Sequence, residues 1–316
     1  MMQEIFRLPF IDLPIYGYGV MMVIGFLGGI QLAKFLAKRS GIDPEIFVNA
    51  GLIALVTGVV GARLSHVIEN IHQYTDPRRS VWANLFDAIN IRTGGLTYYG
   101  GFLLAFASLT FYAIRKKLPL RLAMDIVAPC LMIGLGFGRI GCLLNGCCYG
   151  AECDVPWAIT FPYDSIAYRD EVDRGEIKPP EQLINEETGR PINKRDVAAS
   201  PSKSELAASE HSLRLHPAQL YSAFTAFLIA ALSLAFFTIP HAPGRGFALM
   251  LIAEGTTRFL LELLRVEPPV VHIAGYGWSL SMVLGAGMTL LGLILWLAFT
   301  RPTGERGTLM PTASAA

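Results

Sequence analysis

The chain has 316 residues, of which 53% are hydrophobic and only 16% are charged, and its net charge is +1. Soluble domains carry about 25% charged residues, so this composition excludes an ordinary soluble enzyme and indicates a membrane protein. The sequence has no basic block interleaved with aromatic residues. We therefore expect no nucleic-acid partner.

Seven apolar runs are long enough to cross a bilayer core, which takes about 20 helical residues. They lie at 16–37, 46–68, 95–114, 122–145, 217–240, 246–265 and 273–299. The first run follows a single basic residue, Arg7, and no A-x-A-like cleavage site follows it, so we expect it to stay in the chain. The predicted fold is an all-α integral membrane protein, a bundle of about seven transmembrane helices.

Basic residues gather in alternate connections between these runs. They are Lys34, Lys38 and Arg39, then Arg115, Lys116, Lys117 and Arg121, then Arg245, and finally Arg301 and Arg306. Lys and Arg mark cytoplasmic loops, so this pattern predicts an N-terminus outside and a C-terminus inside.

Four stretches follow from this topology. Residues 1–162 hold helices one to four and the start of an extracytoplasmic segment. Residues 163–215 are a polar extracytoplasmic insertion between helices four and five, which we expect to be partly disordered. Residues 216–300 hold helices five to seven, and 301–316 form a cytoplasmic tail.

Charged groups inside a membrane are costly, so those in the apolar runs are functional candidates. The sixth run contains "EGTTRFLLELLR", in which Glu254, Arg258, Glu262 and Arg265 share one helical face. Two hypotheses remain open: a self-paired ladder, or an anion site with a spare carboxylate. Arg63 and Arg139 sit near the ends of the second and fourth runs, and guanidinium groups suit phosphate oxygens. The arginines thus predict a phospholipid headgroup pocket.

Two further segments have polar groups near helix ends. In "GGLTYYGG", residues 94–101, two diglycines bracket two tyrosines, which suits either a headgroup site or an interfacial tyrosine belt. In "RLHPAQLYS", residues 214–222, His216, Gln219 and Tyr221 surround the start of the fifth helix.

Four of the five cysteines, Cys142, Cys147, Cys148 and Cys153, lie on the predicted outer side, where disulfides persist. Cys147 or Cys148 is a candidate for a disulfide with Cys153, and a nucleophilic cysteine is an alternative. The spacing C-x4-C-C-x4-C is not the paired C-x2-C type of zinc sites. The sequence therefore predicts no metal site and no cofactor.

Six segments occur in the order and spacing of one known family: "YGYGVMMVIGF", "GARLSHV", "GGLTYYGG", "GRIGCLLNGCCYG", "LHPAQLY" and "EGTTRFLLELLR". The chain resembles the prolipoprotein diacylglyceryl transferases. The resemblance implies transfer of a diacylglyceryl group from phosphatidylglycerol to the lipobox cysteine of a prolipoprotein signal peptide, with release of glycerol phosphate. It also implies a multi-pass protein in the lipid bilayer of the bacterial cytoplasmic (inner) membrane.

The resemblance also implies roles for individual residues. Arg139, Arg258, Glu262, Tyr99 and His216 become catalytic candidates, the last two as proton carriers. The substrate-binding candidates are Tyr18, Arg63, Gly94, Gly95, Gly100, Gly101, Cys142, Asn145, Gly150, Gln219, Tyr221 and Arg265. Three positions depart from better-known members of the family, which carry histidine at Tyr99, asparagine at Cys142 and glutamate at Cys147.

Two functions of other classes fit the same residues. A seven-helix protein that binds or transports anionic lipids would use the arginines to hold a headgroup without breaking it. A membrane thiol oxidoreductase would instead depend on Cys147 and Cys148.

Overall fold

The structure is a computed structural model, and it describes residues 4–8, 13–75, 80–90, 94–95, 97–185, 189–198, 200–265, 269–273 and 275–299. The described residues form two compact units. One unit takes its residues from Met1–Gly29 and Val127–Gly307, and the other takes them from Ile30–Ile126.

The described residues are mostly helical. The helices are α1 (Gly17–Arg39), α2 (Glu45–Glu69), α3 (Val81–Ile89), α4 (Tyr98–Arg115), α5 (Leu120–Asn145), α6 (Ile166–Asp173), α7 (Lys194–Val197), α8 (Pro201–Ser209), α9 (Ala218–Phe237), α10 (Arg245–Glu262) and α11 (Leu280–Ala298). Two antiparallel hairpins join β1 (Glu4–Leu8) to β2 (Leu13–Tyr16) and β3 (Val271–Ile273) to β4 (Tyr276–Trp278).

Each of the seven predicted runs contains one long helix. Within the described residues, five of these helices are long and apolar enough to cross a membrane: α1, α2, α5, α9 and α11. The other two, α4 and α10, have 18 residues each but are more polar. Three tyrosines and a terminal arginine lie in α4, and four charged residues lie in α10. The structure therefore confirms a mostly helical chain with five candidate membrane spans, and the full set of seven spans stays a prediction.

The seventh helix begins later than the sequence predicted. The apolar run was expected to be helical from residue 273, but β3 and β4 occupy its start and α11 begins at Leu280. Gly275 has a φ of 82°, which only glycine adopts readily, and this turns the chain between the two strands. Ser279 then caps α11, because its side chain accepts a hydrogen bond from the Met282 N–H at 3.2 Å.

The core of the first unit lies between its long helices. Ala128 and Met132 of α5, Ile229 and Ala230 of α9, and Met250 and Leu251 of α10 form one buried cluster, against which Met288 and Leu295 of α11 pack. This arrangement holds the ends of α5, α9 and α10 in place.

The second unit is built on a close approach of α2 to α4. A Cβ on Gly61 would lie 2.5 Å from the Gly100 carbonyl oxygen, and a Cβ on Gly101 would lie 2.7 Å from the Gly58 carbonyl oxygen. Small residues let helix backbones come together in this way.

The described residues of the segment 163–215 fold into short helices around a buried cluster of Tyr163, Tyr168, Leu183, Val197 and Ala207. The expectation that the segment is partly disordered stays a prediction. Tyr163 further donates to the Ile192 carbonyl oxygen at 2.8 Å. The apolar residues are scattered along a polar sequence, so they show no periodicity, but the fold brings them together.

Glu171 gives this segment a predicted dependence on pH. Its side chain is fully buried, one oxygen accepts the Leu213 N–H at 3.0 Å, and the other has no hydrogen-bond partner among the described residues. Burial, above all, raises the pKa of Glu171 to about 7, compared with about 4.3 in an unfolded chain. The folded segment therefore keeps a proton that the unfolded segment releases. The stabilisation that comes from this proton on Glu171 is complete below about pH 4 and is lost as the pH rises through 7.

We expect limited proteolysis of the segment 163–215 to be about tenfold faster at about pH 8.5 than at about pH 5.5, after correction for the protease's own pH profile. Glu171→Gln should remove most of this difference, since the amide does not ionise. Glu181→Gln is the matched control, because Glu181 is exposed, and it should keep the wild-type profile. An equal pH dependence in both variants would contradict the assignment to Glu171.

Candidate functional site

A cleft lies where the ends of α5, α9 and α10 meet in the first unit. It brings together six residues that the sequence singled out: Arg139, Cys148, Glu254, Arg258, Glu262 and Arg265. The rest of its lining is Ala218, Ser222, Thr225, Thr257 and Leu261. Three guanidinium groups thus face a space that contains two carboxylates.

Arg139 has an unused donor in this cleft. Its Nε atom is buried and has no hydrogen-bond partner among the described residues. A buried donor without a partner carries a desolvation cost of about 1–3 kcal/mol. An anion bound in the cleft would remove that cost.

Arg258 is held from the side by the neighbouring helix. Its Nη2 donates to the Ser281 hydroxyl oxygen of α11 at 3.2 Å. The Arg258 guanidinium keeps further N–H donors for a ligand in the cleft. Ser281 therefore orients the guanidinium without occupying all of its hydrogen-bond donors.

Glu262 pairs with Arg265 and also bonds to the chain just before α11. Its Oε2 lies 3.3 Å from Nη1 of Arg265, three residues on, and its Oε1 accepts the Ser279 hydroxyl at 2.9 Å. Among the described residues, no ion pair joins Glu262 to Arg258. The fully self-paired ladder is therefore not formed, because Glu262 connects α10 to the start of α11.

The chain after α5 is bonded to the chain before α9. Gly150 and Cys153 donate their backbone N–H groups to the carbonyl oxygens of His216 and Arg214, at 3.0 and 2.8 Å. Ala151 donates to the Leu264 carbonyl oxygen at 2.8 Å. A Cβ on Gly150 would lie 2.9 Å from that same Leu264 oxygen. Glycine at this position is required by the close approach of three backbone segments.

His216 belongs to a short chain of hydrogen bonds. Trp157 Nε1 donates to the Tyr221 hydroxyl at 2.6 Å, and that hydroxyl lies 3.3 Å from Nδ1 of His216. In this second contact, whether the Tyr221 hydroxyl or the His216 Nδ1 donates depends on the tautomer of the imidazole. Its role as a proton carrier stays a prediction.

The turn after α5 has an unusual backbone conformation. Gly146 and Cys148 have φ values of 74° and 58°, and the latter is uncommon for a residue other than glycine. The buried Gln219 side chain donates to the Cys147 carbonyl oxygen at 2.8 Å, and Asn145 Nδ2 lies 3.7 Å from the Cys147 sulfur. Gln219 and Asn145 therefore hold this turn.

The cysteines are grouped differently from the expected pairing with Cys153. The Sγ atoms of Cys142, Cys147 and Cys148 all lie within 4.8 Å of one another, and all five cysteines are free thiols. The turn explains this, because its positive φ values fold residues 147 and 148 back onto the last turn of α5.

Tyr18 lies against the same helix. A Cβ on Gly141 would be 3.0 Å from Cδ2 of Tyr18, so the absence of a side chain at 141 admits the ring. Tyr18 is also within electrostatic range of Arg139 and of the three thiols.

Arg63, in the second unit, is largely occupied by its own backbone. It donates to the carbonyl oxygens of Asp87 and Ala88, in the last turn of α3, at 2.6 and 2.8 Å. It also donates to those of Gly94 and Gly95, at 2.7 and 2.9 Å. This guanidinium thus fixes a helix end and a turn, and its contact with substrate stays a prediction.

The remaining candidates of the second unit lie at the start of α4. Gly100 and Gly101 are at the contact with α2, where side chains would collide with Ser65 and Gly58. Packing therefore accounts for these two glycines. Tyr99 is exposed on the first turn of α4, and its role in proton transfer stays a prediction.

The sequence did not single out two serines that serve the site. Ser281 holds Arg258, and Ser279 joins Glu262 while capping α11. A serine just before an apolar run is a recognisable N-cap signal, so Ser279 was detectable as a cap. Its contact with Glu262 depends on tertiary structure and gives no local signal.

Comparison with known proteins identifies the family. Residues 3–298 match the family model described as prolipoprotein diacylglyceryl transferase. A phosphatidylglycerol–prolipoprotein diacylglyceryl transferase of Photobacterium profundum is 26% identical over 92% of this chain and 91% of its own length. The Clostridium tetani protein of that name is 27% identical over 81% of this chain and 83% of its own length.

A third relative matches over a shorter stretch. The Rhodopirellula baltica protein of the same name is 31% identical over 169 residues, 53% of this chain, and this chain spans about a third of its length, 34%. The match of 296 residues out of 316 to the family model decides the assignment. This chain belongs to the prolipoprotein diacylglyceryl transferase family.

Proposed function

We propose that this protein transfers the diacylglyceryl group of phosphatidylglycerol to the thiol of a lipobox cysteine in a prolipoprotein signal peptide. The observation that supports this proposal most directly is the cleft lined by Arg139, Arg258 and Arg265. The buried Nε of Arg139 has no hydrogen-bond partner there among the described residues. A phosphodiester supplies the acceptor oxygens that these donors need.

The charge of the cleft fits this substrate. Three guanidiniums and two carboxylates, Glu254 and Glu262, leave one formal positive charge. The phosphodiester of phosphatidylglycerol carries one negative charge. When the bond from the glycerol carbon to the phosphate oxygen breaks, the departing glycerol phosphate gains a second negative charge, so the cleft stabilises the leaving group more than the bound lipid.

The arginines have different parts in this proposal. Arg139 and Arg258 bind the phosphate oxygens, while Glu262 holds Arg265 at the rim of the cleft and connects it to Ser279. The lipid's acyl chains lie in the bilayer beside α5 and α9. The incoming thiol, whose free pKa is near 8.5, attacks as a thiolate.

The topology is part of the same proposal. Seven helices, the five long apolar ones together with α4 and α10, cross the bacterial cytoplasmic membrane, with the N-terminus and the segment 163–215 outside. The basic connections 34–39 and 115–121 support the cytoplasmic placement of the opposite side. This places the cleft on the side where exported prolipoproteins present their cysteine.

The test is transfer in vitro with the full chain. Purified protein receives phosphatidylglycerol labelled in its acyl chains and a lipobox peptide with cysteine or, as the matched control, serine at the acceptor position. We expect label on the cysteine peptide alone, with one glycerol phosphate released per labelled peptide. Retention of the lipid without transfer would favour an anionic-lipid-binding protein. Formation of a peptide disulfide instead of a thioether would favour a thiol oxidoreductase.

A further inference from the structure

Three thiols stand beside the cleft without a part in the chemistry described so far. The Sγ atoms of Cys142, Cys147 and Cys148 lie within 4.8 Å of one another. This is the one such group of three metal-ligating side chains in the described part of the chain. Thiolate sulfur is a soft ligand that selects zinc or copper(I) rather than magnesium or calcium.

The spacing of the sulfurs fits a single zinc ion. Zinc–sulfur bonds of about 2.3 Å in a tetrahedral arrangement place the sulfurs about 3.8 Å apart. The sulfurs of this group are at most 4.8 Å apart, so small rotations of the side chains would complete the arrangement. The three cysteines supply three ligands and leave one position open.

The backbone is already arranged to present these ligands. Cys148 keeps a left-handed conformation that is uncommon for a residue other than glycine. Gln219 and Asn145 contact Cys147 from outside the group. Polar residues that hold ligands in this way are typical of metal sites.

Charge favours zinc over copper(I). Three thiolates and one Zn²⁺ carry a net charge of −1, whereas three thiolates and one Cu⁺ carry −2. Cys148 lines the same cleft as Arg139, Arg258 and Arg265, so the zinc complex, which has the smaller negative charge, opposes binding of the lipid phosphate less than the copper(I) complex would.

We propose that Cys142, Cys147 and Cys148 bind one Zn²⁺ ion and that the acceptor thiol of the lipoprotein cysteine becomes its fourth ligand. This inference rests on the proposed function, since it explains how that thiol is activated. It also gives a role to Cys142, Cys147 and Cys148, which the binding of phosphate leaves unused.

The proposed step is balanced without any change of oxidation state. Each of the three cysteines loses one proton to solvent when zinc binds, and the acceptor thiol loses one when it becomes the fourth ligand. The acceptor sulfur then donates its electron pair to the glycerol carbon. The bond from that carbon to the phosphate oxygen breaks, and glycerol phosphate leaves with its electrons. The neutral thioether that forms is a weak ligand, so the product leaves the zinc.

The first experiment measures metal binding directly. The full chain is purified in detergent under reducing, metal-free conditions and titrated with Co²⁺, a spectroscopic substitute for Zn²⁺. We expect one equivalent to bind with thiolate-to-cobalt absorption, and Zn²⁺ to displace it. Cys142→Ser, Cys147→Ser and Cys148→Ser should each weaken binding at least about tenfold, while the matched control Cys153→Ser should bind as the wild type does. Wild-type protein without thiolate-to-cobalt absorption would overturn the proposal, whatever the variants do.

The second experiment adds the acceptor peptide to the cobalt-loaded protein. Going from three to four thiolates should raise the charge-transfer absorption by about one third with the cysteine peptide, and the serine peptide should leave it unchanged. An unchanged spectrum with the cysteine peptide would overturn the role of zinc in activating the acceptor.

Activity separates the two proposals. Full transfer by metal-free protein, and by all three serine variants, would overturn the zinc proposal and leave the transferase standing. Binding of cobalt and peptide without transfer of label would overturn the transferase and leave the metal site standing.

Discussion

Replacing Arg139 with lysine should lower kcat/KM for diacylglyceryl transfer by about 10²–10³, the usual effect of removing one preorganised donor from a site that stabilises developing charge. Lysine keeps the positive charge but has no Nε donor and no planar fork, and the buried Nε of Arg139 is the donor that lacks a partner among the described residues. Most of the loss should appear in kcat, because the phosphate gains charge only as it leaves.

The measurement is the rate of peptide labelling at varied concentrations of phosphatidylglycerol, with protein checked for an unchanged Tm. Arg214→Lys is the matched control, since Arg214 is exposed and donates to the Val155 carbonyl oxygen at 3.0 Å. The control should retain activity within about twofold. A comparable loss in both variants, or none in Arg139→Lys, would contradict phosphate binding by Arg139.

The approach of Arg139 to Arg258 was predictable in outline because each sits near the end of an apolar run. Helix length alone places such residues at one depth, and the cost of charge in a membrane points them inward. The partner of Glu262 was not predictable. Spacing allows either Arg258 or Arg265, and the Ser279 hydroxyl from the next helix favours the second.

The proximity of the three thiols was not predictable, for a different reason. The sequence spacing of Cys142, Cys147 and Cys148 does not match a zinc motif, so no metal site was predicted from it. Their proximity depends on positive φ at Gly146 and at Cys148. The glycine at 146 is a recognisable signal for positive φ, but nothing in the sequence indicates that Cys148 adopts a left-handed conformation.

Hydrophobic runs predicted where helices are, and less well where they begin. The run from residue 273 is apolar throughout, yet a turn at Gly275 and a cap at Ser279 delay α11 to Leu280. Scattered apolar residues in 163–215 gave no period to detect, although Tyr168 and Leu183 are fully buried.

Gly255→Ala should destabilise the first unit by about 3 kcal/mol, the upper end of the cost of over-packing a well-packed core. A Cβ at this position would lie 2.5 Å from the Gly285 carbonyl oxygen and 2.6 Å from the Thr289 backbone nitrogen. Both atoms belong to the backbone of α11, which cannot rotate away as a side chain would. The whole helix must shift, and with it Ser279 and Ser281, which hold Glu262 and Arg258.

Gly287→Ala is the matched control, because it makes the same substitution in α11 at a position where a Cβ meets nothing within 4 Å. We expect Gly255→Ala to lower Tm in detergent by about 6 °C and to reduce transfer more than that stability loss explains. Gly287→Ala should keep the wild-type Tm and the wild-type rate of transfer, since alanine also favours the helix. If Gly255→Ala lost stability but kept full activity at low temperature, the contacts of Ser279 and Ser281 would not set the geometry of the cleft. A loss of activity restored by neither cooling nor added lipid would show that these contacts do set it, because the shifted α11 would then misplace Arg258 even in folded protein.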